Sequence, residues 1–303
     1  MKMNNKFNRF EYYMKEKRKL INAYLDKFLP SEDEMPSVLH KAMRYMVFSG
    51  GKRVRPLLLL FTSEMFSGGY TKAIPAACGI ELIHTFSLIH DDLPALDNDD
   101  LRRGKPTCHK AFSEDVAILA GDALLVEGIR LISYEGLNWA LPYEKLVILS
   151  DIITKTLGTY GLVGGEMMDL LSERKKISYN ELLFIYTHKT ADFIRASIEI
   201  GAIIGDASEE SIRNLSKFGH ELGIAFQIKD DILNIEGEEG VMGKPVGSDE
   251  RQKKATYPLL FGMEKAKREL SERIKKALSY IEIFGDKAWF LRELTLFIRD
   301  RSY

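Results

Sequence analysis

Residues 80–104 read IELIHTFSLIHDDLPALDNDDLRRG, and two adjacent patterns in this stretch set the fold class. Ile80 to Ile89 is apolar nearly all round a helix. Such a helix belongs inside a bundle, because it has no polar face to turn toward water. The segment that follows, His90 to Gly104, carries five aspartates within ten positions: Asp91, Asp92, Asp97, Asp99 and Asp100. Carboxylates this dense repel one another unless something neutralises them. One reading is a solvated acidic turn. The other is a site for a hard divalent cation, since Mg²⁺ takes carboxylate oxygens together with water and phosphate. Arg102 and Arg103 follow at once and favour metal and phosphate held together.

Helical periodicity extends outward in both directions. Val38 to Ser49 reads as a helix with Leu39, Met43, Met46 and Val47 on one face, stopped by Gly50-Gly51. Further helices are expected over Arg55–Phe66, Thr71–Leu93, Ser113–Ser133, Leu141–Leu171, Ser208–Asn234, Thr256–Phe284 and Lys287–Ile298. A capping box at Ser178 to Glu181 opens another, running to Ile204. Strand patterns of useful length are missing. Glu236 to Lys254, rich in Gly and charge, reads as a mobile loop. One all-α domain over residues 1–303 is the expected organisation.

Composition narrows the function classes. The 303 residues are 45% hydrophobic and 29% charged, with 43 basic against 44 acidic side chains. A formal net charge of −1 gives no global field toward nucleic acid, so anion binding must rest on local basic clusters. The two cysteines, Cys78 and Cys108, form no CxxC pair, which argues against a disulfide scaffold or a structural zinc site. Met1 to Leu20 is too charged for a signal peptide. The longest aliphatic run, Leu57 to Phe61, is far short of the roughly 20 residues that span a bilayer. A cytoplasmic protein without stable membrane insertion is expected.

A second acidic cluster lies at 226–234, FQIKDDILN. On a helix, Asp230 and Asn234 are one turn apart, and Gln227 precedes both aspartates by a turn. Its neighbours are apolar core formers, and a buried acidic pair without a partner is costly. A metal-diphosphate ligand shared by the two clusters would remove both costs.

Five motifs now stand in order: GGKRVRP at Gly50–Pro56, the segment His90–His109, GGEMMDL at Gly164–Leu170, Phe226–Asn234, and KATYP at Lys254–Pro258. In these the chain resembles the trans-type prenyl diphosphate synthases, most closely the bacterial farnesyl diphosphate synthases. The likeness runs from about Gly50 to Tyr257 and continues toward the C-terminus. It implies a single helical bundle of isoprenoid synthase type around a deep central cavity, and a homodimer. The implied reaction joins isopentenyl diphosphate head to tail to an allylic diphosphate. The implied cofactor is Mg²⁺, three ions bridging the two aspartate-rich helices.

Position by position, the resemblance gives Asp91 and Asp97 two metals, with Asp92 adjacent, and Asp230 the third, with Asp231 in support. Lys52, Arg55, His84 and Arg103 match positions that bind isopentenyl diphosphate. Arg102, Lys189 and Lys244 match positions that grip the allylic diphosphate, with Lys254 lining the same site. Thr190 and Gln227 match positions facing the developing allylic cation. The family proton acceptor is the departing diphosphate, so no side chain is assigned as general base. Phe86, five residues before Asp91, matches the floor of the chain-elongation pocket, and farnesyl diphosphate is the expected product. Taken alone, Phe86 would read as a packed core residue.

Two positions depart from the pattern: Asn234 replaces the last aspartate of the second motif, and Glu166 stands where glutamine is common. The Asn234 change leaves room for weaker third-metal binding, and the two together leave open a less active paralogue. The alternatives are a geranylgeranyl or longer-chain synthase, or a non-catalytic partner subunit. A terpene cyclase would have no use for the second diphosphate site at Lys52, Arg55 and Arg103.

Overall fold

Apolar periodicity becomes helix almost everywhere. The computed structural model describes residues 2–173, 175–236 and 254–301. Helices α1 (Lys2–Phe28), α2 (Ser37–Val47), α3 (Val54–Ser67), α4 (Ile74–Asp91), α5 (Cys108–Ala111) and α6 (Glu114–Ser133) come first. After them come α7 (Tyr143–Leu157), α8 (Leu162–Ser172), α9 (Tyr179–Ile185), α10 (Asp192–Ile204) and α11 (Glu209–Glu236). The last three are α12 (Tyr257–Phe261), α13 (Met263–Ile281) and α14 (Trp289–Asp300). Among the described residues the strands are a two-residue pair, β1 (Leu101–Arg102) and β2 (Lys105–Pro106). The chain is all-α, as its patterning predicts.

Contacts divide the chain into two compact units, one of Met1–Leu60 with Tyr70–Ser150 and one of Phe61–Gly69 with Asp151–Tyr303. The first is built on α4 against α6. Ile80, Leu82 and Ile83 of α4 are fully buried, as are Leu124 and Leu131 of α6, which accounts for the missing polar face. The second unit is built on α11. Ile224, Ile228 and Ile232 form one side of its core, facing Leu182, Ile185 and Tyr186 and, from α13, Leu270 and Ile274.

Glycine explains where the expected helices differ from the observed ones. The stretch Leu141–Leu171 is two helices, interrupted by a turn in which the Gly161 N–H donates to the Gly158 carbonyl at 3.0 Å. Thr256–Phe284 is likewise divided at Gly262, whose φ of 89° and ψ of 151° lie where only glycine is comfortable. The capping box is present as expected, with the Ser178 hydroxyl and Glu181 carboxylate each closing on the other's backbone N–H. The helix it opens does continue to Ile204, but through a π turn at Tyr186–Ala191. Such turns re-aim side chains and are frequent at functional sites. Apart from its ends, the Glu236–Lys254 loop lies outside the described residues.

Two stretches, Thr71–Asp91 and Tyr143–Ser172, are long and apolar enough to cross a membrane by length and composition. The first is the core helix α4, 72% buried within the protein; the second is broken by the Gly158–Gly161 turn and 39% buried. Cys78 and Cys108 are both buried thiols, and burial pushes Cys108 up to about 12.

Candidate active site

In the first unit, α4 ends at Asp91 and the chain folds back on itself. The Asp97 N–H donates to the Asp91 carbonyl at 2.9 Å, so these two aspartates share one turn. Both are partly exposed, while Pro94 and Ala95 form the exposed tip. Asp92 points elsewhere. It is fully buried and accepts from Arg102, with Nε 2.8 and 2.7 Å from its two oxygens and Nη2 at 2.5 Å.

The short hairpin β1–β2 delivers that arginine. Leu101 pairs with Pro106 and Arg102 with Lys105, around a turn whose two central residues, Arg103 and Gly104, have φ of 55° and 74°. Positive φ at both positions is the geometry that matches strand twist in a two-residue hairpin. Burial works against the charge of Arg102, but its bonds to Asp92 and the nearby Asp91 and Asp99 outweigh that and raise its affinity for the proton.

Arg103 reaches the other motif. Its guanidinium donates to the Gly50 carbonyl and lies where a Cβ on Gly51 would be, 2.8 Å away. Gly51 also has φ of 118°, a backbone conformation that favours glycine. Lys52 and Arg55 follow, partly exposed, while Arg53 turns inward. Arg53 meets Glu81 at 2.7 Å with both side chains buried, and also donates to the Gly50 and Val47 carbonyls at 3.0 and 2.5 Å. It therefore pins the glycine loop to α4.

His84 stands in the field of this cluster. Burial holds its imidazole well below its ordinary value, and the charges of Arg55, Arg103, Arg102 and Arg53 depress it further. Arg53 and Arg102 are paired with Glu81 and Asp92, which leaves the charge of Arg55 and Arg103 near His84 to attract an anion. Two residues along α4, Phe86 is buried with its ring edge-on to His90 at 4.8 Å.

The second unit holds the other candidates. The π turn is squeezed between α8 and α11: a Cβ on Gly165 would lie 2.4 Å from the Lys189 nitrogen, and one on Gly223 2.4 Å from the Ala191 Cα. This contact brings Lys189 to Glu166 at 2.8 Å and to Asp169 at 2.6 Å. The Thr190 hydroxyl donates to Gln227 Oε1 at 2.7 Å, and Gln227 Nε2 donates to Asp231 at 3.0 Å. Asp231 also accepts from the Tyr186 hydroxyl and from the Tyr257 N–H at 3.2 Å. Asp230, on the partly exposed side of α11, accepts from Arg301, whose guanidinium stacks over Phe226 at 4.3 Å. Asn234 is buried and Lys254 partly exposed. Lys244 lies outside the described residues.

The carboxylates fit Mg²⁺ in a specific way. Among the described residues no three acidic, His or Cys side chains gather into a closed cage. Mg²⁺ is ordinarily held by one or two carboxylates plus substrate phosphates, with waters completing the octahedron. Asp91 and Asp97, partly exposed on one turn, are the pair that would hold it in that way.

Three structural residues escaped the sequence reading: Arg53, Glu81 and Tyr186. Arg53 is indistinguishable in sequence from Lys52 and Arg55. Glu81, a lone carboxylate in an apolar helix, was the available signal, since a buried charge demands a partner. Tyr186 gave none.

Comparison with known proteins places this geometry in context. The polyprenyl synthetase family pattern matches residues 36–284. The farnesyl diphosphate synthase of Geobacillus stearothermophilus is 44% identical over 89% of this chain and 91% of its own. That of Bacillus subtilis (strain 168) is 42% identical over 98% and 99%. The solved geranylgeranyl pyrophosphate synthetase of Pyrococcus horikoshii Ot3 superposes with a TM-score of 0.87 at 33% identity, covering 99% of this chain and all of the other. With five motifs in order on an all-α chain, this chain belongs to the polyprenyl synthetase family and is a prenyl-chain-elongating transferase.

Proposed function

We propose that the protein condenses isopentenyl diphosphate with dimethylallyl and then geranyl diphosphate, head to tail, and stops at (2E,6E)-farnesyl diphosphate. The observation that carries this reading is helix α4, which ends at the Asp91–Asp97 turn and, through the Glu81–Arg53 pair, holds the glycine loop that Arg103 also reaches. One helix thus places a polyanion-binding cluster beside a pair of Mg²⁺-competent carboxylates.

In this reading Asp91 and Asp97 hold two Mg²⁺ ions and Asp230 a third, with Asp92 acting through Arg102 and Asp231 supporting from within. Bound Mg²⁺ would neutralise the charge that builds on the leaving diphosphate. Lys52, Arg55, His84 and Arg103 bind isopentenyl diphosphate; Arg102, Lys189, Lys244 and Lys254 bind the allylic diphosphate. Fixed charges of this kind act without reorganising during the reaction. Thr190 and Gln227 present dipoles to the allylic carbon as positive charge develops there. Phe86 closes the floor below the growing chain. We further propose a homodimer: Ile118, Leu119 and Val126 leave an exposed apolar stripe on α6, of the kind that marks association surfaces.

The test is incorporation of labelled isopentenyl diphosphate by the purified chain, with and without EDTA. The expected result is steady turnover, lost with EDTA and restored by Mg²⁺. Asp91→Ala should lower it by roughly 10²-fold, the order for loss of one preorganised charge-stabilising group. Turnover of Asp91→Ala at the wild-type rate with unchanged magnesium dependence sinks the metal assignment. No turnover by the wild-type chain alone would move the reading to a partner subunit.

A further inference from the structure

The hydrogen bonds around Asp231 run in a fixed direction. Tyr186 and Thr190 are four residues apart on the π turn, and Gln227 and Asp231 are four apart on α11. The two pairs meet as a ladder: Tyr186 on Asp231, Thr190 on Gln227, and Gln227 joined to Asp231 along its own helix. Two members of this ladder have no choice of role. A backbone N–H can only donate, and a carboxylate can only accept.

These constraints settle every other bond. The Tyr257 N–H points at the Tyr186 oxygen at 2.8 Å, so that oxygen accepts and its own proton must go to Asp231. Gln227 must offer its NH₂ to Asp231 and hence its carbonyl to Thr190. Thr190 must then donate inward, leaving the lone pairs of its hydroxyl oxygen as the outer end of the chain. A carboxylate at the inner end polarises each successive bond in the same sense.

We propose that Tyr186 is a positioning residue for prenyl transfer. Its hydroxyl fixes Asp231, and Asp231 through Gln227 fixes the Thr190 hydroxyl as a donor to Gln227, leaving its oxygen lone pairs unspent on this chain. The chemical demand is clear. An allylic carbon gaining positive charge is stabilised by an oxygen lone pair and destabilised by a hydroxyl proton, so the orientation of one O–H bond changes the sign of its contribution. This proposal rests on the prenyl-elongation reading of the preceding section.

The test is a double-mutant cycle with Tyr186→Phe, Thr190→Val and the double variant, measuring kcat, both KM values and Tm. The expected result is a fall in kcat of about tenfold or more for Tyr186→Phe, with both KM values within about twofold of wild type. The double variant should be no slower than Thr190→Val alone, because the relay has one output. A merely structural tyrosine would lower Tm without that coupling. Wild-type kcat in Tyr186→Phe, or losses that multiply in the double variant, overturns the proposal. Should Tyr186→Phe fail to fold, Gln227→Met breaks the relay at mid-chain with Tyr186 in place. Combined with Thr190→Val it must be no slower than Thr190→Val alone, and losses that multiply, or retained kcat, overturn the proposal. Absence of prenyl transfer by the wild-type protein would instead overturn the underlying reading.

Discussion

The guanidinium of Arg102 lies on the carboxylate of Asp92, which is fully buried, while Asp91 and Asp97 on either side remain partly exposed. Carboxylates of the first cluster therefore serve two purposes. Removing the Asp92 carboxylate would leave a nearly buried arginine without its main partner, a change that typically costs about 3–5 kcal/mol. Asp92→Ala is expected to lower the urea midpoint strongly, whereas Asp91→Ala should lose turnover with little change in midpoint. Equal effects of the two on stability would contradict this division.

Lys189 shares its ammonium between Glu166 and Asp169. Two carboxylates on one cation reduce what it offers to a diphosphate. Glu166→Gln removes one negative charge and keeps the shape, so the KM for the allylic diphosphate should fall several-fold, up to about tenfold or 1.4 kcal/mol. Steady-state kinetics with geranyl diphosphate read this out. An unchanged or raised KM would show that Glu166 does not restrain Lys189.

His84 makes stability depend on pH with a definite sign. Its folded-state pKa is depressed below the ordinary 6.5 by burial and by Arg55, Arg103, Arg102 and Arg53. Between those two values the unfolded chain binds a proton that the folded chain refuses. The contribution is thus fully favourable above about pH 6.5 and lost as pH falls toward the folded value, by up to about 1.4 kcal/mol per pH unit. Melting temperatures from pH 7 to pH 5.5 should decline, and His84→Gln should flatten that decline. The same slope in both proteins would refute the assignment.

Sequence patterning reached the helices because they are written in local periodicity and residue type, whereas the site assignments came from the resemblance carried by five motifs. The all-round apolar character of Ile80–Ile89 translated directly into a core helix, and Ser178 to Glu181 into a capping box. The breaks at Gly158–Gly161 and Gly262 were less legible, because a glycine inside an apolar pattern is tolerated in many helices. What stayed hidden was pairing between distant segments. Local periodicity and residue type do not tell Asp91 from Asp92, yet the hairpin turn at Arg103-Gly104 aims Arg102 at only one of them. Tyr186 is equally silent until the π turn sets it against Asp231.

The central claim is that this chain elongates to fifteen carbons and stops, and product length measures it most directly. Purified protein with Mg²⁺, labelled isopentenyl diphosphate and each allylic starter in turn is expected to give farnesyl diphosphate from dimethylallyl and geranyl diphosphates. Phe86→Ala in parallel is expected to shift product toward geranylgeranyl diphosphate. Twenty-carbon or longer product from the wild-type chain, or a Phe86→Ala ladder identical to it, would contradict the account.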